Sequence, residues 1–322
     1  MKEAAFVKQN AGKWKHYEAV IKSRRPGHAD ELANDYISVT DDLAYASTFY
    51  PDSNTTLYLN QLSRSFHAGI YRNKKERASR FFQFFSREIP QAIFESHRQL
   101  FYSFSFFMIA VAIGLVSSAY DHNFPRIIMG DAYVDMSLKN IRHGDPMAVY
   151  KSMESGSMFL GIAINNIYVS FLAFIYGIFL SVGTVYFIFT NGVMVGAFVS
   201  MFAQKGLTQV ALLSIFLHGA LELSAIVIAG GAGITMGNSI LFPGTYTRSE
   251  SLTRAAKRAV KITVGLVPVF ITAAFFESFV TRHYQEMPTG LSLAVIILSF
   301  SFITWYYIIL PLQLKAKYGW KK

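Results

Sequence analysis

Beyond about residue 98 the chain falls into apolar runs of roughly 20 residues, each long enough to cross a hydrocarbon core of about 30 Å. Lipid offers the backbone no hydrogen-bond partners. A segment that spans it must therefore be a helix or part of a closed barrel. The runs lack the alternation of a barrel strand, so they are read as helices. Six spans are expected, at 100–120, 158–182, 183–202, 209–231, 262–280 and 291–312. Composition agrees: 52% of residues are hydrophobic, and mean hydropathy is +0.30.

Charge orients the spans. With the N-terminus inside, 24 of the 30 Lys and Arg residues fall on the cytoplasmic side and 6 on the outer side. Cytoplasmic loops carry such an excess. Both termini are therefore expected in the cytoplasm, and the expected location is the cell inner (plasma) membrane. The net charge of +10 follows this topology, and no nucleic-acid-binding motif accompanies it. The first apolar run starts near Leu100, too late for a signal peptide, so an uncleaved N-terminus is expected. The absence of cysteine excludes disulfides, thiolate metal sites and cysteine nucleophiles.

The fold class is all-α. Residues 1–98 are expected to form a cytoplasmic helical domain and residues 99–322 a transmembrane helical domain. Phe6, Trp14, Tyr17 and Ile21 recur at helical spacing. A second helix is expected from about Ala29 to Tyr50, stopped by Pro51, and a third with Leu59, Leu62, Phe66 and Ile70 on one face. In "RASRFFQFFSREIPQ", Phe81, Phe82, Phe85 and Ile89 share a face near Arg77, Arg80 and Arg87. Such a juxtamembrane amphipathic helix suits either the headgroup region or packing within the soluble domain. Between Tyr120 and Ser157 a long outer loop is expected, with a short amphipathic helix at 146–153.

From Met158 to Phe202 almost no polar residue marks a turn. The favoured position is Ser181-Val182-Gly183, which leaves two full-length spans. The alternative is Thr190-Asn191-Gly192, because Asn-Gly is a strong turn signal. It would leave a short re-entrant segment.

Ionisable residues within the apolar half are costly, about 2.5–3.5 kcal/mol at mid-membrane. At 100° per residue, His218, Glu222, Ala225, Ala229 and Gly233 lie on one small-residue face. Asn166, Ser170, Ala173, Gly177 and Ser181 make a second. Small faces let helices approach closely, so these polar groups point into protein. A buried polar cluster of His218, Glu222, Asn165, Asn166, Asn191 and Glu277 is expected, with Glu277 the outermost. Three readings stand: a hydrogen-bond network that fixes helix register, a site for a lipid headgroup, ion or proton, and a hydrolytic or metal site. His-xxx-Glu alone supplies two metal ligands where catalytic zinc takes three, and no HExxH or GxSxG motif occurs. No catalytic residue, metal or cofactor is assigned. In the soluble domain Asn60, Ser63, His67 and Tyr71 form a polar stripe, and the preceding helix carries Asp41 and Asp42. Asp42, Asn60 and His67 are candidates for partner docking, against the reading of a solvated face.

Several stretches, in order, resemble the stage II sporulation protein M family. "HGALELSAIVIAGGAG" matches its hallmark segment. "DDLAYASTFYPD" with "LYLNQLSRSFHAGIYR" matches a soluble-domain signature. "NNIYVSFLAFIYGIFLSVGT", "NGVMVGAF", "LFPGTYTR" and "AAFFESFVTR" match membrane signatures. The resemblance implies an integral membrane protein and supplies no catalytic residues. It implies a non-enzymatic anchor that organises a cell-envelope complex. Members with an added helical domain are often encoded beside a MoxR-type AAA+ ATPase and a protein with a von Willebrand-like fold, which become expected partners. Membrane lipids and a second copy of the chain, through the glycine-bearing helices, complete that set. The other expectations are a transporter or lipid- or ion-handling protein built on His218 and Glu222, and, third, an intramembrane hydrolase.

Overall fold

A computed structural model describes residues 1–22, 29–70, 78–151 and 154–320. Tyr71, Arg77 and Met153 lie outside these residues. No strand occurs among the described residues. The chain divides into two compact units, Met1–Arg80 and Phe81–Lys322.

The first unit holds α1 (Glu3–Lys22), α2 (Ala29–Phe49) and α3 (Asn54–Ile70). The helical spacing read from the sequence becomes its core: Phe6, Trp14, Tyr17, Val39, Ala46, Leu59, Leu62 and Phe66 are buried together. Pro51 follows the end of α2 and has no N–H with which to continue it. Polar pins join the helices. Trp14 Nε1 donates to Asp42 at 2.8 Å, and Lys13 Nζ lies 2.6 Å from the same carboxylate. The Tyr58 hydroxyl donates to Glu18 at 2.9 Å.

The second unit begins within α4 (Ala78–Gln83). A π-helical turn, Phe84–Glu88, and α5 (Ile89–Glu95) follow. The phenylalanine face of this stretch divides. Ile89 is buried in the main core of the unit, while Phe81 and Phe82 are about two-thirds exposed. The Tyr306 hydroxyl donates to the Phe85 carbonyl at 2.6 Å, and Lys261 pairs with Glu88 at 2.7 Å. The stretch up to Arg98, read from the sequence with the first domain, thus folds with the second unit.

Six helices among the described residues are long and apolar enough to span a membrane. They are built on α6 (His97–Tyr120), α9 (Ser155–Ile175), α10 (Val182–Ala203), α11 (Thr208–Leu241), α12 (Arg248–Phe275) and α13 (Thr289–Thr304); α14 (Leu310–Tyr318) prolongs the last. The turn in the long apolar stretch falls at the favoured place. Leu180 and Ser181 have positive φ, 53° and 68°, immediately before α10. The re-entrant alternative is corrected: α10 runs unbroken for 22 residues through Asn191-Gly192. Gly192 stays helical because α6 lies against it. An added Cβ there would come within 2.8 Å of the Phe107 carbonyl.

α11 is the hub, packed against α6, α9, α10, α12 and α13. Its 34 residues span about 51 Å at 1.5 Å per residue, well beyond the run expected from hydropathy. Its C-terminal half stays helical despite four glycines because those glycines are the contact surface. A Cβ on Gly233 would sit 2.6 Å from the Ala173 carbonyl, and one on Gly177 only 2.1 Å from the Gly233 carbonyl.

The segment between the first two spans is folded. It contains α7 (Phe124–Met129), α8 (Asp131–Arg142) and one 3-10 turn, Ala148–Lys151. The helix expected at 146–153 is therefore corrected: the amphipathic helix lies earlier, at α8, and over 146–151, the described part of the expected place, a 3-10 turn occurs. Val134 and Met147 pack with Met201, Phe202 and Ala211. This fastens the segment over the adjoining ends of α10 and α11.

Candidate functional site

The small-residue faces read from the sequence turn inward. Asn166, Ser170, Ala173, Gly177 and Ser181 are all buried, as are His218, Ala225, Ala229 and Gly233. Glu222, one turn beyond His218, is partly buried. Glu277 comes from the other side. It sits in a π-helical turn, Phe276–Val280, that continues α12. Such turns widen the helix by a residue and recur at functional sites. The ligating atoms of His218, Glu222 and Glu277 all lie within 4.8 Å of one another.

Other groups surround this trio. His218 Nδ1 is 3.2 Å from Thr281 Oγ1. The Tyr150 ring meets the imidazole edge-on, with centroids 5.8 Å apart. Burial, with Glu277, Tyr133 and Glu222 nearby, holds the Tyr150 phenol well above its ordinary range. Burial also raises the Tyr133 phenol on α8, opposed by Ser137 and reinforced by Glu277. Both phenols therefore keep their protons at neutral pH and face the carboxylates as neutral groups. Asn166 lies beside Glu222, yet its Nδ2 is buried with no hydrogen-bond partner. A depression of about 380 Å³ at this end is lined by Gly144, Pro146, Leu207, Val210, Tyr284 and Met287, among others.

The expected cluster is thus divided. His218, Glu222, Glu277 and Asn166 come together. Asn165 is exposed and donates to Asn166 Oδ1 at 3.4 Å. Asn191 donates to the Phe187 carbonyl of its own helix at 2.8 Å. Thr281, Tyr150 and Tyr133 were not expected. Thr281 is four residues beyond Glu277, so helical spacing could have found it. The tyrosines depend on how the segment between the first two spans folds. In the first unit, the Asp42 carboxylate is taken up by Trp14 and Lys13. Asn60 is partly buried, and His67 is exposed near the Tyr36 ring.

The family model described as stage II sporulation protein M matches residues 103–282, which include all six of the residues gathered around His218. The chain belongs to the stage II sporulation protein M family. Residues 4–72 match a second family model, a domain of unknown function (DUF8413), which covers the three helices of the first unit. Nothing among curated proteins or solved structures matches the chain. As a member of the stage II sporulation protein M family, with six helices among the described residues long and apolar enough to span a membrane, it is a multi-pass membrane protein.

Proposed function

We propose that the protein is a non-enzymatic scaffold of the bacterial inner membrane. Both termini lie in the cytoplasm, and the N-terminal unit presents the docking surface for an envelope-associated complex. The expected partners are a MoxR-type AAA+ ATPase and a protein with a von Willebrand-like fold. A second copy of the chain is a further expected partner, and it would dock elsewhere than on the glycines of α10 and α11, which are already covered within one chain.

The supporting observation is the closeness of the helix seams. Added Cβ atoms at Gly114, Gly177 and Gly196 would lie 2.1–2.3 Å from backbone carbonyls of the neighbouring helix. Backbones in such contact cannot slide or rock without losing the packing that holds them. A rigid bundle suits an anchor better than alternating access. The lysine and arginine asymmetry supports the orientation. The test uses the full chain in lipid nanodiscs with purified ATPase and von Willebrand-like protein. Direct binding to the intact protein is expected. Absence of binding by both would end this reading.

A second reading, ion or lipid handling, draws on the trio of His218, Glu222 and Glu277. It expects Glu222→Gln to fold normally and lose activity in cells. Under the scaffold reading, the same variant still binds its partners.

A further inference from the structure

The trio has a composition that a register-fixing network does not need. Ionised carboxylates only accept hydrogen bonds, so two of them side by side repel unless one takes up a proton or a cation lies between them. Here two carboxylates from different helices approach one imidazole, with ligating atoms within 4.8 Å. The nearest cation in sequence, Arg282, donates to Ser155 on α9.

The surroundings order the donors. Thr281 Oγ1 faces His218 Nδ1. When Nδ1 carries the proton and donates it to Thr281, the lone pair is on Nε2. Metal-ligating histidines are held in this way, with the other ring nitrogen donating to an oxygen. Asn166 adds an independent sign. The residue is 8% exposed, and its amide is directed at Glu222, although Nδ2 does not reach full hydrogen-bond geometry with any acceptor. An amide donor in that place can bond a carboxylate oxygen or a water held in an ion's coordination shell. Two carboxylates also match the charge of one divalent cation, leaving the group neutral where isolated charge is costly. Ligands at about 2.0–2.2 Å from a metal lie at most about 4.4 Å apart, so the three donors must draw together on binding an ion.

The geometry points to a divalent transition-metal site formed by His218, Glu222 and Glu277. Thr281 and Asn166 act as positioning residues, and Tyr150 covers the imidazole. One nitrogen and carboxylate oxygens suit Zn²⁺, Mn²⁺ or Fe²⁺ better than a thiolate-seeking ion or Ca²⁺. This site is independent of the scaffold reading, which makes no use of an ion.

The test uses the full chain in detergent, stripped with a chelator, desalted and exposed separately to Zn²⁺, Mn²⁺ and Co²⁺, with Mg²⁺ and Ca²⁺ for comparison. Bound metal is measured by mass spectrometry, Co²⁺ by its visible absorption, and stability by melting. A single transition-metal ion per chain is expected, with a melting temperature that rises with free metal. Glu277→Gln and Glu222→Gln should lose the ion. Thr281→Val should keep the stoichiometry and weaken affinity by about 10–100-fold. Glu88→Gln, which removes only the pair with Lys261, should bind as the parent does. The site is refuted if the stripped parent takes up none of the three ions, or if Glu277→Gln binds them equally. The parent's Co²⁺ spectrum decides the matter even where a variant fails to fold.

Discussion

Replacing Gly196 by alanine tests the seam on which the scaffold reading rests. The new Cβ would lie 2.2 Å from the Val111 carbonyl oxygen, 2.7 Å from Leu115 N and 3.0 Å from Gly114 C. All three atoms are backbone, so no side chain can swing aside. Cβ atoms essentially never come within 3.0 Å of other heavy atoms, so α6 and α10 must part by about 0.8 Å. A gap of that size forfeits about a quarter to a half of each dispersion contact along the seam. Overpacking costs about 1–3 kcal/mol, offset by up to about 1 kcal/mol from the better helix propensity of alanine. A net loss of up to about 3 kcal/mol is expected. Gly161, on α9, is the internal control. Nothing lies within 4 Å of its Cβ position, so Gly161→Ala should gain about 0.4–1 kcal/mol. Melting of both variants in the same detergent, followed by tryptophan fluorescence, gives their order. If Gly196→Ala melts at or above Gly161→Ala, the helices are not in close contact and the rigidity argument fails.

In the N-terminal unit, Asp42→Ala leaves the buried Trp14 N–H without its acceptor, and a loss of about 1–3 kcal/mol should appear in chemical denaturation. Burial, aided by the hydrogen bond to Glu18, pushes the Tyr58 phenol up to about 12. The folded state therefore holds its proton longer than the unfolded state, whose ordinary value is 10.0. This contribution is intact below pH 10 and fades as pH rises towards 12. Tyr58→Phe should flatten the loss of stability across that window. Because the chain has no cysteine, topology can be read from single introduced thiols. Lys139→Cys should react with an impermeant maleimide from outside the inner membrane, and Lys317→Cys only after lysis; the reverse pattern would invert the orientation. His218→Ala removes the group bonded to Thr281 and should lower the melting temperature, whereas equal stability would show that the imidazole is not held there.

Much of the membrane unit could be read from the chain because lipid enforces simple rules. Apolar length gave the six spans, and small residues at helical spacing gave the inward faces of α9 and α11. Length estimates failed where packing overruled hydropathy. α11 was expected to end at Gly231, yet it continues to Leu241 because its glycines meet Ala173 and Ser181 closely. α12 starts at Arg248, before its apolar run, because a charged helical turn is stable outside the hydrocarbon region and Thr247 caps it. Asn191-Gly192 carried a turn signal that tertiary packing overrode. In the candidate site, His218, Glu222 and Asn166 were found by periodicity. Tyr150 and Tyr133 were not, since their approach to the carboxylates depends on how α7, α8 and the 3-10 turn fold back, and no local pattern encodes that.

The pairing of His218 with Thr281 also constrains how the protein is made. The two residues are 63 positions apart, and synthesis delivers α11 first. A nascent chain that has just completed α11 carries an imidazole and a carboxylate with no α12 to receive them. Until the fifth helix emerges, α11 lacks Thr281 and Glu277 and has only the earlier helices, with Asn166 on α9, to shelter these groups. Chains stopped between Leu241 and Glu277 leave uncovered part of the polar face that the finished bundle encloses.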